Sequence, residues 1–210
     1  SVSALATPTL SIAASLPSSR KVSLLPLSIP SSHTSPSSPS PDASSVLRVV
    51  RAEQADILDA NAVTHTVEGA DIVINATGIR FESLNSYEEV HITGSRNIGH
   101  AARAADVPAL IHMSCMGIDI PEYSRYAVSK MRAEDIAFGA FPRLTILRPN
   151  VTFGPGDIVS RSALRSALSP IVPVPCGSAQ IQPVYVKDVA QAVLKVLENP
   201  TLHQGLEYDL

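Results

Sequence analysis

A tyrosine and a lysine lie four positions apart in the run Tyr126-Ala127-Val128-Ser129-Lys130. On a helix, positions i and i+4 share a face, so the phenol and the ammonium can point into the same cleft. A nearby ammonium stabilises phenolate and lowers the tyrosine pKa from its ordinary value of about 10. Such a phenol can exchange a proton with a carbinol or carbonyl while a hydride moves to or from a nicotinamide, and the lysine can bind ribose hydroxyls. The alternative is a tyrosine that packs on a sheet.

A turn of small and polar residues, Asn75-Ala76-Thr77-Gly78, follows a β-branched run. Small residues there let a flat ligand lie against the backbone, and Asn75 can anchor the turn through hydrogen bonds. The plainer alternative is an ordinary strand-to-loop turn. Upstream, Asp56 could accept a hydrogen bond from an adenine amino group, or be a solvated loop acid. Arg148 could reach a phosphate or carboxylate, although a local ion pair is the preferred role.

Strand and helix patterns alternate from Val46 to Leu210 and would position these residues. Short β-branched runs predict strands, and apolar spacing of three and four predicts helices. The predicted strands are 46–50, 71–75, 109–113 and 144–147, and the predicted helices are 60–68, 87–106, 123–138, 161–168 and 187–197. Asp59 is the predicted N-cap of the first helix, which ends at Gly69. The alternation predicts an α/β fold, a doubly wound parallel sheet with helices on both faces and ligands at the carboxyl ends of its strands.

Composition excludes several classes of protein. The chain has 210 residues and a formal net charge of −3, so no overall basic field favours nucleic acid. No apolar stretch approaches the roughly 18 residues of a membrane-spanning helix. Two cysteines far apart in sequence, Cys115 and Cys176, suggest neither a disulfide framework nor a metal site. His91, His100 and His112 are not at metal-ligand spacing, and we expect each to be a helix-surface or strand histidine.

The first 45 residues differ from the rest. They contain 16 Ser and 7 Pro, and the charged side chains before Asp42 are Arg20 and Lys21. Such a segment cannot bury enough apolar surface to offset chain entropy, so we expect disorder or extended structure over 1–45 and a domain over 46–210. A Ser-rich, acid-poor composition is also typical of organellar transit peptides, with a linker or an unstructured arm as the alternative.

Six blocks stand in order along the chain: ADILD at 55–59, VINATG at 73–78, IHMS at 111–114, SRYAVSK at 124–130, LRPNVTFG at 147–154 and QPVYVKDVA at 182–190. In this order they resemble the extended and atypical short-chain dehydrogenase/reductase superfamily, which implies a Rossmann-like fold that binds NADPH or NADH. The SRYxxxK block, the strand FPRLTILRP at 141–149 and the QPVYV block most resemble the alpha subcomplex subunit nine group of mitochondrial respiratory complex I.

The resemblance implies roles for residues of each block. It places Asp56 near adenine, Asn75, Ala76, Thr77 and Gly78 along the adenosine, Tyr126 and Lys130 at the nicotinamide ribose, and Pro149 and Val151 beside the nicotinamide. It makes Tyr126, Lys130 and Ser114 the candidate catalytic residues. Active members, however, place the serine or threonine slightly further on, where this chain has Cys115 and Met116. A thioether cannot donate the hydrogen bond that polarises a substrate carbonyl.

The chain departs from that superfamily at its beginning. Members open with a strand, a glycine-rich turn and a helix whose N-terminus holds the pyrophosphate, whereas no glycine precedes Gly69 here. Only glycine lets the backbone approach a diphosphate so closely. We therefore expect the Rossmann-like sheet to be incomplete at its N-terminal strand-turn-helix and at its C-terminal substrate region, with cofactor binding weakened or lost.

Three functions remain open from the sequence, because a fold-level resemblance does not separate them. The preferred one is an accessory, non-catalytic subunit of mitochondrial respiratory complex I, with a relict or structural NAD(P)(H) site. Its partners would be other subunits of that membrane-bound complex, on the matrix side of the inner membrane. The second is an active NAD(P)-dependent reductase or epimerase. The third is a non-catalytic scaffold in another organellar complex, with the plastid as the alternative location.

Overall fold

Short strands alternate with helices in the computed structural model, which describes residues 55–118, 124–155, 157, 164, 166 and 181–210, and the backbone alone of 11–16, 20–25 and 50–53. The strands are β1 Ser11–Leu16, β2 Arg20–Leu25, β3 Val50–Glu53, β4 Ile72–Asn75, β5 Ala109–Met113, β6 Thr145–Arg148, β7 Thr152–Phe153, β8 Val184–Tyr185 and β9 Glu207–Asp209. The α-helices are α1 Ala60–Val67, α2 Gly94–Ala104, α3 Arg125–Ala140 and α4 Val186–Glu198. A π turn, Glu88–Thr93, leads into α2, and a 3-10 turn, Pro200–His203, follows α4.

Seven strands form one sheet in the order β3-β1-β2-β4-β5-β6-β9. From β2 to β9 all neighbours are parallel, while β1 pairs antiparallel with both β2 and β3. All four residues of β4 are buried, as expected for a β-branched strand that helices cover on both faces. The predicted Rossmann-like, doubly wound parallel sheet is confirmed, with an antiparallel region at one edge. β7 and β8 form a separate parallel pair.

Two apolar cores lie on opposite faces of this sheet, because successive strand residues point to opposite sides. On one face α1, α2 and α3 pack in a core that includes Val63, Val73, Ile98, Leu110 and Ile146. On the other face α4 packs in a core that includes Ile72, Ile74, Ile111, Leu147 and Val196. Packing in the two cores determines where the carboxyl ends of β4, β5 and β6 lie relative to α2 and α3.

The ends of α1 follow the sequence prediction. Asp59 is its N-cap, and the carboxylate accepts hydrogen bonds from two backbone N–H groups of the first turn. Gly69 follows the helix with a φ of 71°, a left-handed conformation that glycine adopts without a steric penalty.

The helix predicted over 87–106 is not uniform. Its first part, Glu88–Thr93, is a π turn with an extra residue per turn, and regular α-helix begins at Gly94. The even spacing of apolar residues predicted one unbroken α-helix, which is corrected here. π turns inside helices are frequent at functional sites, since they change the direction in which side chains point.

The remaining predicted elements agree with the structure to within about two residues where it describes them. The strand predicted at 46–50 shares only Val50 with β3, and its other residues lie outside the described ones. The helix predicted at 161–168 also lies outside the described residues except for Leu164 and Ser166, which are helical. In segment 1–45, where we expect disorder or extended structure, the described residues are those of β1 and β2. Among the helices of the described residues, none is long and apolar enough to cross a bilayer.

Gly99 allows α2 and α3 to approach each other closely. A Cβ atom added at this position would lie 2.7 Å from the Cβ of Ala140. We expect Gly99→Ala to lower the free energy of unfolding by about 1–2 kcal/mol, because overpacking outweighs the gain in helix propensity. Urea denaturation measures this change. Gly139→Ala on α3 is the control, since its added Cβ meets nothing within 4 Å; equal midpoints for the two variants would contradict the close packing.

Candidate functional site

Buried polar side chains collect where β4 and β5 end and α2 and α3 begin. We call this group the polar cluster: Asn75, Thr77, His91, Ser95, His112, Ser114, Ser129 and Lys130, each less than a tenth exposed. The other buried polar side chains of the described residues are Glu134 and Thr145. Buried polar groups normally need hydrogen-bond partners. Their concentration at the carboxyl ends of parallel strands, where such sheets bind ligands, makes this the candidate site.

Lys130 reaches the end of β5 from the second turn of α3. Ser124 caps this helix by accepting a hydrogen bond from a backbone N–H of the first turn at 3.3 Å. The Nζ of Lys130 donates to the carbonyl oxygen of Met113 at 2.8 Å, although the side chain is only 4% exposed. Burial lowers the pKa of the ammonium, while Cys115 and Glu134 oppose that shift. An ammonium has three N–H donors, so this contact leaves capacity for a ligand.

Tyr126 is half-buried one helical turn before Lys130. The rings of Tyr87 and His91 meet its ring edge-on, with centroids 5.9 and 5.5 Å away, and its hydroxyl interacts with the thiol of Cys115. Burial, and next the nearby thiol, raise the pKa of Tyr126 above its ordinary value. The sequence predicted a lowered pKa, and that prediction is wrong for this structure, because burial penalises the phenolate and outweighs the opposing effect of the nearby Arg80.

His91 is buried, not on a helix surface as the sequence analysis expected, and it is 2% exposed. Its Nε2 accepts a hydrogen bond from the N–H of Ile79 at 3.0 Å, and its Nδ1 lies 2.8 Å from the hydroxyl of Ser129. The imidazole also stacks on Tyr87, with a centroid separation of 5.2 Å. Burial lowers the pKa of His91 to about 4, and the charge of Lys130 adds to this effect. The imidazole is therefore neutral at pH 7.

The sequence contained a signal for this burial. Position 91 precedes Gly94, Ser95 and Ile98 by three, four and seven positions, and all three are buried in α2. Residues at these spacings share a helix face.

Asn75 uses both ends of its amide within the protein. Its Oδ1 accepts hydrogen bonds from the N–H and the hydroxyl of Thr77 at 3.1 and 2.6 Å. Its Nδ2 therefore faces Nδ1 of His112 at 3.1 Å and the hydroxyl of Ser95 at 3.4 Å. The structure thus contains the anchored turn that the sequence suggested. A ligand along residues 75–78 would meet the backbone and small side chains, because the amide is already occupied.

His112, a buried strand histidine as expected, has one unpartnered nitrogen. Because Nδ1 accepts from Asn75, the proton resides on Nε2, which has no hydrogen-bond partner in the described structure. Burial holds the pKa of His112 well below its ordinary value, and Lys130 adds to the shift. The ring is a neutral hydrogen-bond donor inside the polar cluster.

The polar group that faces Tyr126 is a thiol, whereas the sequence analysis named the hydroxyl of Ser114. Ser114 is 7% exposed, and its Oγ has no hydrogen-bond partner in the described structure. Cys115 interacts electrostatically with Tyr126 and Lys130. Burial raises the pKa of the Cys115 thiol, so the sulfur keeps its proton at pH 7. The structure thus brings Tyr126, Lys130 and Cys115 together at the end of β5.

The other predicted contact residues lie on turns that follow strands. Asp56 is exposed after β3, and its carboxylate accepts a hydrogen bond from the N–H of Leu58 at 2.9 Å. Pro149 and Val151 are half-buried after β6. The carbonyl of Pro149 accepts a hydrogen bond from the N–H of Met116 at 3.2 Å, which ties the turn after β6 to the turn after β5.

Arg148 forms an ion pair, the preferred interpretation of the sequence. Its guanidinium bonds Glu134 through Nε at 3.0 Å and a terminal nitrogen at 2.6 Å, and it contacts Glu207 at 2.6 Å. The hydrogen bonds with Glu134 raise the pKa of the guanidinium further. A cavity of about 620 Å³ borders this pair but is not lined by Tyr126 or Lys130, so it is separate from the polar cluster. Within the described residues, no three His, Cys, Asp or Glu side chains are placed to hold a metal ion.

The chain is similar to proteins of two functional kinds. It is 30% identical over 149 residues to ceramide reductase of Caulobacter vibrioides, covering 70% of this chain and 47% of the relative. It is 28% identical over 161 residues to NADH dehydrogenase [ubiquinone] 1 alpha subcomplex subunit 9, mitochondrial, of Arabidopsis thaliana, covering 74% and 40%. The chain thus spans about half or less of the length of these curated relatives.

Solved structures show the same fold at lower identity. A dTDP-glucose 4,6-dehydratase from Streptomyces venezuelae with NAD bound superposes with a TM-score of 0.58 at 17% identity, over 74% of this chain and 56% of that one. The family model described as NAD dependent epimerase/dehydratase matches residues 31–209. With the match extending over most of the sheet and all of the polar cluster, the chain belongs to the NAD-dependent epimerase/dehydratase family.

Proposed function

We propose that this chain is an NAD(P)-binding accessory subunit of respiratory complex I in the mitochondrion, in which the nucleotide supports the fold and is not turned over. The observation that carries the proposal is the state of Tyr126, whose ring is half-buried against Tyr87 and His91 and whose pKa is raised by that burial. A phenol in this state retains its proton at pH 7 and is therefore a poor general base for the oxidation of a carbinol by hydride transfer. The similarity to a complex I subunit from Arabidopsis supports the same conclusion.

The described residues fit the nicotinamide ribose end of the nucleotide. Lys130 offers ammonium donors there and Tyr126 offers a hydroxyl, while two polar atoms without a partner in the described structure, on His112 and Ser114, belong to the same cluster. When bound, the nicotinamide would supply hydride chemistry. The fit supports a nucleotide whose ribose lies against Tyr126 and Lys130.

A bound nucleotide would stabilise the fold by mass action. A ligand at a hundred times its Kd adds about 2.7 kcal/mol to the free energy of unfolding if it binds the folded state alone. This gives an accessory subunit a use for a cofactor without catalysis, because the nucleotide would cover the region where Lys130 of α3 contacts the end of β5.

The first test is nucleotide binding, with Lys130→Met as the decisive variant. We expect NADH or NADPH to raise the melting temperature of the wild-type chain, and Lys130→Met to weaken nucleotide binding at least tenfold, because a charged hydrogen bond contributes about 1.5–3 kcal/mol. Fluorescence titration measures the Kd without interference from tryptophan, which the chain lacks. Without nucleotide, Lys130→Met should melt at the wild-type temperature or above, since it removes a buried ammonium.

The control for that variant is Lys195→Met, because the Lys195 side chain is 74% exposed on α4. It should bind nucleotide as the wild type does. The assembly part of the proposal is tested in the source mitochondria, where the tagged full chain should co-migrate with the large membrane complex on a native gel. Migration as a free protein, or steady oxidation of NAD(P)H by the purified chain, would contradict an accessory role.

An NAD(P)-dependent carbonyl reductase is the second candidate, and one contact favours it. The thiol of Cys115 meets the Tyr126 hydroxyl at the end of β5, where a donor could polarise a substrate carbonyl. The similarity to ceramide reductase makes an apolar ketone the substrate to assay. Under this alternative, Cys115→Ser would retain or increase NADPH oxidation and Cys115→Ala would reduce it at least tenfold. No turnover by any of the three proteins would exclude the alternative.

A further inference from the structure

Both ring nitrogens of His91 connect the loop after β4 to the first turns of α3. The loop residue Ile79 donates its N–H to Nε2 at 3.0 Å. On the other side of the ring, Nδ1 lies 2.8 Å from the hydroxyl of Ser129, and that hydroxyl donates to the carbonyl oxygen of Tyr126 at 2.7 Å. The connection therefore runs through three hydrogen bonds from the loop to the backbone of Tyr126.

The donors and acceptors in this series of hydrogen bonds are consistent with only one tautomer of His91. A backbone N–H can only donate, so Nε2 of His91 is an acceptor and carries no proton. In a neutral imidazole the proton must then reside on Nδ1, which donates to Ser129. The Ser129 hydroxyl accepts this bond and donates its own proton to the carbonyl of Tyr126. Each hydrogen-bonding group is matched, which is the condition for a rigid buried network.

The same ring also contacts the side chain of Tyr126. His91 meets the phenol ring edge-on at 5.5 Å and stacks on Tyr87 at 5.2 Å. Tyr87 in turn donates its hydroxyl to the carbonyl of Arg80 at 2.7 Å, which fixes a second point of the loop. The titratable groups that face the phenol are Cys115, Tyr87, Arg80 and His91. His91 therefore restrains Tyr126 through its backbone and its ring at once.

We infer that His91 is a positioning residue for Tyr126: its neutral imidazole holds the loop after β4 against the first turns of α3 and so fixes the phenol at the nucleotide ribose. The inference rests on the proposed nucleotide site for the importance of that position. The π turn Glu88–Thr93 carries His91, so the departure from regular helix lies at the point of contact. A histidine with a purely structural role would contribute to the free energy of unfolding but would not determine the position of the Tyr126 phenol.

The test compares His91→Leu, which removes both hydrogen bonds, with His91→Asn, whose amide can still donate to Ser129. We expect His91→Leu to weaken NADH or NADPH binding about tenfold. His91→Asn should recover at least half of the binding free energy that His91→Leu loses. His100→Leu is the matched control, because His100 is an exposed histidine of α2, and it should leave the Kd unchanged. Wild-type affinity in His91→Leu would overturn the inference.

A second readout does not depend on nucleotide. Phenolate absorbance at pH 11 can be measured without overlap from tryptophan, because the chain has five tyrosines and no tryptophan. In the wild type, Tyr126→Phe should remove less than the signal of one phenolate at this pH, because burial raises the pKa of Tyr126. In the His91→Leu background it should remove the signal of about one phenolate, because the loosened turn admits water to Tyr126. Equal signals in the two backgrounds would overturn the inference.

These readouts separate the two possible failures. If the wild type binds neither nucleotide, the proposed function fails, and the absorbance at pH 11 still decides whether His91 fixes Tyr126. If His91→Leu does not fold, Ser129→Ala replaces it. This variant interrupts the same series of hydrogen bonds but removes only one hydroxyl group. Ser129→Ala should bind nucleotide about threefold more weakly, and wild-type values for both its affinity and its phenolate signal would overturn the inference.

Discussion

Acidification from pH 7 to pH 5 should lower the free energy of unfolding by about 2 kcal/mol through His91 alone, because burial holds its pKa near 4 in the folded chain and the value rises to about 6.5 on unfolding. Between these two values the unfolded chain binds a proton that the folded chain does not. The stability contribution is therefore complete above pH 6.5 and is lost as the pH falls towards 4. His112, whose pKa is also lowered by burial, acts with the same sign.

Urea denaturation at half-unit steps between pH 7.5 and pH 4.5 measures this slope. His91→Asn should flatten it, because the variant removes one group that titrates on unfolding, even if the variant is less stable at pH 7. His100→Asn should keep the wild-type slope, since His100 is exposed and solvated in both states. A pH-independent free energy of unfolding in the wild type would show that these imidazoles are not buried as described.

Arg148→Met is expected to lower the free energy of unfolding by about 3 kcal/mol, because it leaves the buried carboxylate of Glu134 without its partner. Glu134 is 5% exposed, and the guanidinium gives it hydrogen bonds at 3.0, 3.2 and 2.6 Å. The Met side chain keeps the length of the stem, so the loss measures the ion pair rather than a cavity. Thermal and urea denaturation at pH 7 give the change.

Two variants separate the parts of this ion-pair group. Arg148→Met combined with Glu134→Leu should recover most of the loss, because no unpaired charge stays buried. Glu207→Gln should cost about 0.5 kcal/mol, since the Glu207 side chain is 51% exposed and its pairing is weakened by water. If Glu207→Gln proved as damaging as Arg148→Met, the buried pair with Glu134 would not be the main contribution.

The sequence predicted the helices and strands that are defined by a pattern among neighbouring residues. The run at 71–75 predicted a buried strand, and Ile72–Asn75 is one, because β-branched residues without polar alternation suit a strand covered on both faces. Helix ends were predicted where a capping residue was present, as at Asp59. The strand β9 was not predicted, since its three residues join the sheet through β6, about 60 residues earlier in the chain. Pairing over such a separation leaves no periodic signal in a short segment.

For the candidate site, the sequence spacing indicated which residues to consider but did not predict the direction of the pKa shift of Tyr126. The i and i+4 positions of Tyr126 and Lys130 predicted that both side chains face one cleft. In the structure Lys130 donates to the carbonyl of Met113 and Tyr126 interacts with Cys115, while a nucleotide in that cleft stays a prediction. The shift in the pKa of Tyr126 depends on the desolvation supplied by Tyr87, His91 and Cys115, which come from other parts of the chain. Which of these neighbours would cover the phenol could not be read from spacing, because the π turn sets the direction of His91.

The late position of β9 in the chain affects how the protein can fold during synthesis. Until residues 207–209 leave the ribosome, the backbone of Thr145–Arg148 presents an open strand edge, with the apolar side chain of Leu147 lacking the cover that Tyr208 provides. Nascent chains with such edges are prone to mispairing and are typical clients of chaperones. A chaperone that binds β6 would therefore have to release it for β9 to dock, and we expect release of β6 and pairing with β9 to occur together.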